Sequence, residues 1–165
     1  MQIAVVFFSR SKKNTVLAAN TLFSAIPSLP SEKELISIKA LKEKQKKGFL
    51  DLNPQEKISL VSTKTDLSGF DFVFFGSTIE GMSPKRKIPD EMLTYLRECK
   101  GIEGKKAALF LPAFGVAGTV AKKMESVLQT RNVTIVDTLV LPYLLNITAP
   151  QLEQIKTFTA TALQK

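Results

Sequence analysis

The chain has 165 residues, with 23 Lys and Arg against 15 Asp and Glu, no His and a single Cys. That composition excludes internal disulfides and multi-cysteine metal sites, and it removes the histidine that is the usual general base and the commonest metal ligand. The net charge of +8 invites an acidic partner, but the lysines are scattered and no basic helix carries interleaved aromatics, so nucleic acid is not expected as a partner.

The length suits one domain spanning residues 1–165 with a full core. No stretch approaches the roughly 20 apolar residues of a membrane span. The chain begins as a strand without a basic leader segment, so neither a membrane nor a secretory signal is expected. A cytoplasmic location is the expectation.

Ile3 to Phe8 is an unbroken apolar run, the pattern of a parallel strand covered on both faces. Ser9-Arg10-Ser11-Lys12-Lys13-Asn14-Thr15 follows as a polar loop, and Val16 to Ala19 with Leu22, Phe23 and Ile26 forms the apolar face of a helix. A strand, a hydroxyl-rich loop and a helix start make a natural anion site, because free N–H groups and the helix dipole point at the loop. The same residue types also serve as ordinary helix caps and turns. A phosphate is the guest this loop suits best.

Pro27 to Pro30 breaks the helix, and Glu34 to Ile38 gives a short strand. Residues Lys39 to Ser68 form the longest irregular stretch, lysine-rich but seeded with Phe49, Leu50, Leu52, Ile58, Leu60 and Val61. A turn or two of helix is expected within it. Phe70 to Gly76 is the second fully apolar strand, and Ser77 to Pro84 is a long connection beyond it. Pro89 then opens a helix carrying Met92, Leu93, Leu96 and Cys99 on one face, which makes the lone cysteine a core residue rather than a reactive thiol.

Ala107 to Leu111 is a third buried strand, released by Pro112 to Gly118. Val116, Val120, Met124, Val127 and Leu128 mark the stripe of the next helix, and Val133 to Leu141 a last strand. Thr148-Ala149-Pro150-Gln151 has capping-box spacing ahead of a closing helix with Leu152, Ile155, Phe158 and Ala162 inward. Alternation of this kind predicts an α/β fold of three layers, a doubly wound parallel five-stranded sheet in the order 2-1-3-4-5. Ligands of such sheets sit at the switch point beyond the carboxyl ends of the first and third strands.

On these residues the chain resembles the flavodoxin family over essentially its whole length. Phe8-Ser9-Arg10-Ser11 with Asn14-Thr15 looks like the family's phosphate-binding loop, and Gly76-Ser77-Thr78-Ile79-Glu80-Gly81 like its first flavin-flanking loop. Gly104 to Phe110, continued by the loop with Gly115 and Gly118, looks like the second. Ile36 to Lys39 running on to Lys47-Gly48-Phe49-Leu50 is similar to the insert of short flavodoxin-like proteins.

The resemblance implies a flavodoxin-like fold and FMN as cofactor. Ser9, Arg10, Ser11, Lys12, Lys13, Asn14 and Thr15 would lie at the phosphate. Ser77, Thr78, Ile79, Glu80, Gly81 and Met82 would lie along one side of the ring, with Ala113, Phe114, Gly115 and Gly118 on the other. It implies no catalytic acid, base or metal.

Lys12-Lys13 stand where the family places a single glycine, so the loop is one residue longer. Loss of that glycine spoils close backbone approach, or else the two ammonium groups compensate by pairing with the dianion. The first ring loop has Ile79 and Met82 in place of an aromatic. Phe114 is either a ring-stacking residue or a core plug, and Glu80 either faces the ring edge or is a surface glutamate.

The function this implies is electron transfer or flavin-dependent oxidoreduction by an FMN-binding monomer or homodimer. Its redox partner would be a small molecule or a protein, an acidic one by charge. The alternative is a flavodoxin-like scaffold that has lost FMN and serves as a binding module. A phosphorylated receiver on the same strand order is set aside, because Ser9-Arg10 and Gly76-Ser77 stand where its acidic residues belong.

Overall fold

The computed structural model describes residues 1–10, 13–27, 32–44, 56–60, 63–81, 86–114, 119–143 and 145–165. Along the chain run β1 (Gln2–Phe8), α1 (Asn14–Ala25), β2 (Glu32–Ser37), β3 (Ala40–Lys44), β4 (Glu56–Leu60) and β5 (Phe72–Ser77). They are followed by α2 (Asp90–Glu98), β6 (Lys106–Phe114), α3 (Ala121–Gln129), β7 (Thr134–Tyr143) and α4 (Ala149–Ala162). Five strands form one sheet in the order β2-β1-β5-β6-β7, and every pairing in it is parallel. Counted along the sheet's own strands this is the expected 2-1-3-4-5.

The apolar runs read as strands because both faces of the sheet are covered. Successive side chains of a strand point to opposite faces, and the burial follows that alternation. Ala4, Val6 and Phe8 of β1, Val73 and Phe75 of β5, and Leu109 and Leu111 of β6 pack with Met92, Leu93 and Leu96 of α2 and Met124 and Leu128 of α3. Ile3, Val5 and Phe7, Phe72 and Phe74, and Ala108 and Phe110 pack with Ala18, Ala19 and Leu22 of α1 and Ile155 and Phe158 of α4. Each large apolar side chain buried this way contributes about 1.5–3 kcal/mol.

The central strands also require Gly76. A Cβ there would stand 2.0 Å from Cζ of Phe110, its register partner on β6.

Ends of elements are held by charges and caps. Lys33 Nζ donates to the carbonyls of Phe23 at 2.9 Å and Ile26 at 2.8 Å, satisfying acceptors at the C-terminal end of α1 where the dipole favours a cation. Lys105 Nζ donates to the carbonyls of Leu67, Ser68 and Phe70, tying the turn before β5 to the start of β6. Thr148 and Gln151 form the predicted capping box of α4, with the Thr148 N–H donating to Gln151 Oε1 at 2.8 Å.

The stretch after β2 is not wholly irregular. The described part of the long stretch after β2 holds no helix but an antiparallel pair, β3 with β4, in register from Ala40 opposite Leu60 to Lys44 opposite Glu56. Short charged segments such as ALKEK and EKISL lack the clean apolar alternation that signals a strand. Phe49, Leu50 and Leu52 lie outside the described residues.

β7 is a single strand through residues 134–143, with a register irregularity opposite Ala107 and Ala108. There the Thr138 N–H donates to Asp137 Oδ1 at 2.8 Å. Lys165 Nζ lies 2.7 Å from Asp137 Oδ2, so the irregularity and the charges blunt this edge against unwanted strand pairing. Among the described residues no helix is long and apolar enough to cross a membrane.

Candidate functional site

β1, β5 and β6 end at Phe8, Ser77 and Phe114, all at the carboxyl edge of the sheet. The chain leaves β1 for α1 on one face of the sheet and leaves β5 for α2 on the other. Neighbouring strands whose connections part in this way open a crevice between their loops.

The loop after β1 passes Ser9, half-buried, and Arg10, exposed, while Ser11 and Lys12 lie outside the described residues. Lys13 caps α1 with φ −107° and ψ −98°. The first helical bond runs from the Leu17 N–H to the Lys13 carbonyl at 2.9 Å. The N–H groups of Asn14, Thr15 and Val16 therefore precede any intrahelical acceptor. α1 has no side-chain cap. Among the described residues no carboxylate stands in its first turn, and Lys13 is exposed beside its positive end.

Asn14 and Thr15 are buried, 6% and 2% exposed. The Asn14 amide is engaged by the chain itself: Nδ2 donates to the Leu145 carbonyl at 3.2 Å, and Oδ1 accepts from the Ile147 N–H at 3.2 Å. This side chain ties the start of α1 to the segment after β7.

Arg10 turns away from the helix start. Its Nε lies 2.7 Å from Glu80 Oε1, and Nη2 donates to Glu91 Oε1 at 2.8 Å and Oε2 at 3.2 Å. Glu80 is thus ion-paired and only partly exposed rather than a bare surface residue. Its main chain is pinned as well, since the Glu80 and Lys87 N–H groups donate to each other's carbonyls, each at 2.9 Å.

Elsewhere on this loop Ser77 is fully buried, with Oγ donating to the Thr78 carbonyl at 2.9 Å. The Thr78 N–H donates to the Phe8 carbonyl at 3.2 Å. Ile79 packs on the core face shared with α2, and Gly81 takes φ +83°, where a side chain would be strained. Met82 lies outside the described residues.

On the far side Ala113 is buried, and Phe114 is no core plug: it is 54% exposed. Its ring lies 6.4 Å from that of Tyr143 at 74°, an edge-to-face pair at the carboxyl edge. Leu145, 84% exposed, stands on the segment held by Asn14. Gly115 and Gly118 lie outside the described residues.

The structure brings the loops after β1 and β5 together through the Arg10–Glu80 and Thr78–Phe8 contacts, sets Glu91 on Arg10 and ties the segment at Leu145 to Asn14. The sequence does not single out Glu91, Tyr143 or Leu145. Glu91 carries one faint signal, standing a helical turn before Tyr95, so that it shares that residue's inward face.

The perturbed titratable groups lie elsewhere. Burial pushes the Cys99 thiol up to about 11, against the opposing influence of the Arg131 guanidinium, whose Nη1 donates to Sγ at 3.4 Å. Burial also raises the Tyr95 phenol, whose hydroxyl donates to the Lys64 carbonyl at 2.8 Å. A depression bordered by Gln2, Glu34, Lys64 and Asp66 lies at the amino end of the sheet. Within it Lys64 pairs with Glu34 at 2.6 Å.

No protein-family model matches the chain, and no curated protein matches its sequence. Solved structures do. Oxidised flavodoxin 1 of Bacillus cereus aligns at TM-score 0.69 and 22% identity, over 99% of this chain and 98% of its own. Two-electron reduced flavodoxin of Megasphaera elsdenii aligns at TM-score 0.65 and 17% identity, over 96% of this chain and 98% of its own. A flavoprotein of Lactobacillus acidophilus in complex with FMN aligns at TM-score 0.54 and 14% identity, over 84% of this chain and 92% of its own. With the same strand order and helices on both faces of the sheet, this chain has the flavodoxin-like fold.

Proposed function

We propose that the chain binds FMN in the crevice between the loops after β1, β5 and β6, and that it acts in electron transfer or as a flavin-dependent oxidoreductase. The observation that carries this reading is the start of α1, which lacks a side-chain cap and any acidic residue and stands at the switch point of the sheet. A dianionic phosphate suits that donor set, which combines backbone N–H groups, a helix dipole and a nearby ammonium.

In this reading the N–H groups of Asn14, Thr15 and Val16 receive phosphate oxygens, Ser9 and Thr15 add hydroxyls, and Lys13 adds charge. Backbone groups of residues 78–81 meet the polar edge of the ring, held in place by the Phe8 and Lys87 contacts. Phe114, exposed beside Tyr143, offers an apolar face for the ring to cover. FMN, when bound, supplies the redox chemistry, and the protein binds, orients and tunes it. The fold likeness to flavodoxins supports the same ligand.

A scaffold without cofactor is favoured by one feature, the lysine pair in place of the phosphate-loop glycine. Visible absorption of the purified protein decides between the two. A yellow protein, or a colourless one that takes up added FMN stoichiometrically and more tightly than riboflavin, supports FMN binding. A protein that takes up neither is the scaffold.

A further inference from the structure

The guanidinium of Arg10 joins three separate parts of the site. It leaves the loop after β1, meets Glu80 on the loop after β5 at 2.7 Å, and meets Glu91 in the first turn of α2 at 2.8 Å. We propose that Arg10 is a positioning residue for the flavin site, one that holds the ring-edge loop against the phosphate loop rather than binding phosphate. The proposal rests on the FMN reading above.

Burial decides which partner the guanidinium keeps. The Glu91 side chain is 6% exposed and that of Glu80 19%, whereas that of Arg10 is 47% exposed. Drawing Arg10 onto a phosphate would give up its hydrogen bonds to the buried Glu91 carboxylate and its ion pair with Glu80 together, and contacts to a buried charge cost more to break than a partly solvated one returns. The planar guanidinium reaches two carboxylates in different directions, hydrogen-bonded to Glu91 through Nη2 and ion-paired with Glu80 beside Nε, which a point-like ammonium matches less well. Phosphate charge is left to Lys13 and the helix start.

The second carboxylate is what makes this a device of the site and not only of the core. Glu80 is clamped through its side chain by Arg10 and through its main chain by Lys87. The loop from Thr78 to Gly81 is thus set before a ligand arrives, and a preset loop lowers the ordering cost of binding. Such a contribution is the same whether or not the ligand carries a phosphate.

The test titrates FMN and riboflavin into the ligand-free full chain as wild type, Arg10→Ala, Glu80→Gln and the double variant. Hydrogen exchange at the Glu80 and Lys87 amides of the same proteins is followed without ligand. Arg10→Ala is expected to weaken both flavins by a similar factor, about tenfold, within the usual range for coupled sites. Glu80→Gln, which spares the buried Arg10–Glu91 pair and so keeps a folded protein available, should weaken both in the same ratio. The double variant should add little, because both changes break one contact. Exchange at both amides should quicken.

FMN weakened much more than riboflavin by Arg10→Ala would show direct phosphate pairing and overturn the proposal. Unchanged affinities for both flavins, with a wild type that binds them, would overturn it too. If the wild type takes up neither flavin, the FMN reading fails, and the proposed flavin role of Arg10 fails with it. The exchange data then still report on the clamp alone, and unchanged exchange overturns the clamp whatever the flavins do.

Discussion

The ring of Phe110 occupies the space that a side chain on Gly76 would need, its Cζ lying 2.0 Å from the position of a Cβ. Gly76 falls where the resemblance to flavodoxins puts the opening of a ring loop, yet the structure shows it bearing on core packing. Phe110 is fully buried in the cluster with α1 and α4, so shifting its ring means moving core neighbours. Gly76→Ala should lose roughly 1–3 kcal/mol of stability by overpacking. In a Phe110→Leu background the same substitution should cost less, and denaturant unfolding of the four proteins reads the difference. Equal costs in both backgrounds would show that the ring is not the obstacle.

Lys13 offers charge at the helix start from an exposed position. Lys13→Ala should weaken FMN about two- to fivefold, within the range of exposed ion pairs of about 0.4–1 kcal/mol. Riboflavin, lacking the phosphate, should be unaffected, and added salt should narrow the gap. Equal weakening of both ligands would remove Lys13 from the phosphate site.

Cys99 sets a pH dependence of stability. Its thiol is raised in the folded protein from its ordinary value near 9.0 to about 11, chiefly by burial. Above the unfolded value the unfolded chain sheds this proton first, so the contribution is whole below pH ~9 and lost as pH climbs toward ~11. That amounts to about 2–3 kcal/mol across the window. Cys99→Ala should flatten this part of the stability curve, measured by denaturant midpoints from pH 8 to pH 11 in steps of about half a unit. The same burial predicts slow alkylation of the native thiol and fast alkylation after unfolding. Rapid labelling of the native protein would contradict it.

The charge around the crevice bears on the reduction potential of the proposed holoprotein. Arg10 faces both Glu80 and Glu91, while Lys13 stands exposed. Electrons entering the site bring negative charge near cations and compensated carboxylates, which makes their arrival easier. The two-electron potential is therefore expected to be less negative than that of an acidic flavodoxin. Lys13→Glu should lower it. A redox titration giving an equal or more negative wild-type potential would refute the electrostatic account. The net charge of +8 further predicts association with an acidic redox partner that slows as ionic strength rises.

Much of the architecture is legible in the order of residues because it depends on local patterns. Ile3 to Phe8, Phe72 to Phe75 and Ala107 to Leu111 read as buried strands since both faces of each are covered. The capping box of α4 needs only Thr148 and Gln151, three residues apart, and Cys99 declares its burial through the helical spacing of Met92 and Leu96.

What only the tertiary structure decides is where polar side chains find partners across long stretches of chain. Arg10 meets a carboxylate 81 residues on, and Asn14 meets backbone groups 131 and 133 residues on. The sequence marks these as polar residues of a phosphate-type loop. Burial of Glu91 and the approach of the segment after β7 determine which of their donors and acceptors are already engaged. The exposure of Phe114 and the β3–β4 pairing have the same origin. An aromatic at a strand end and a charged five-residue strand take their state from neighbours that local spacing does not encode.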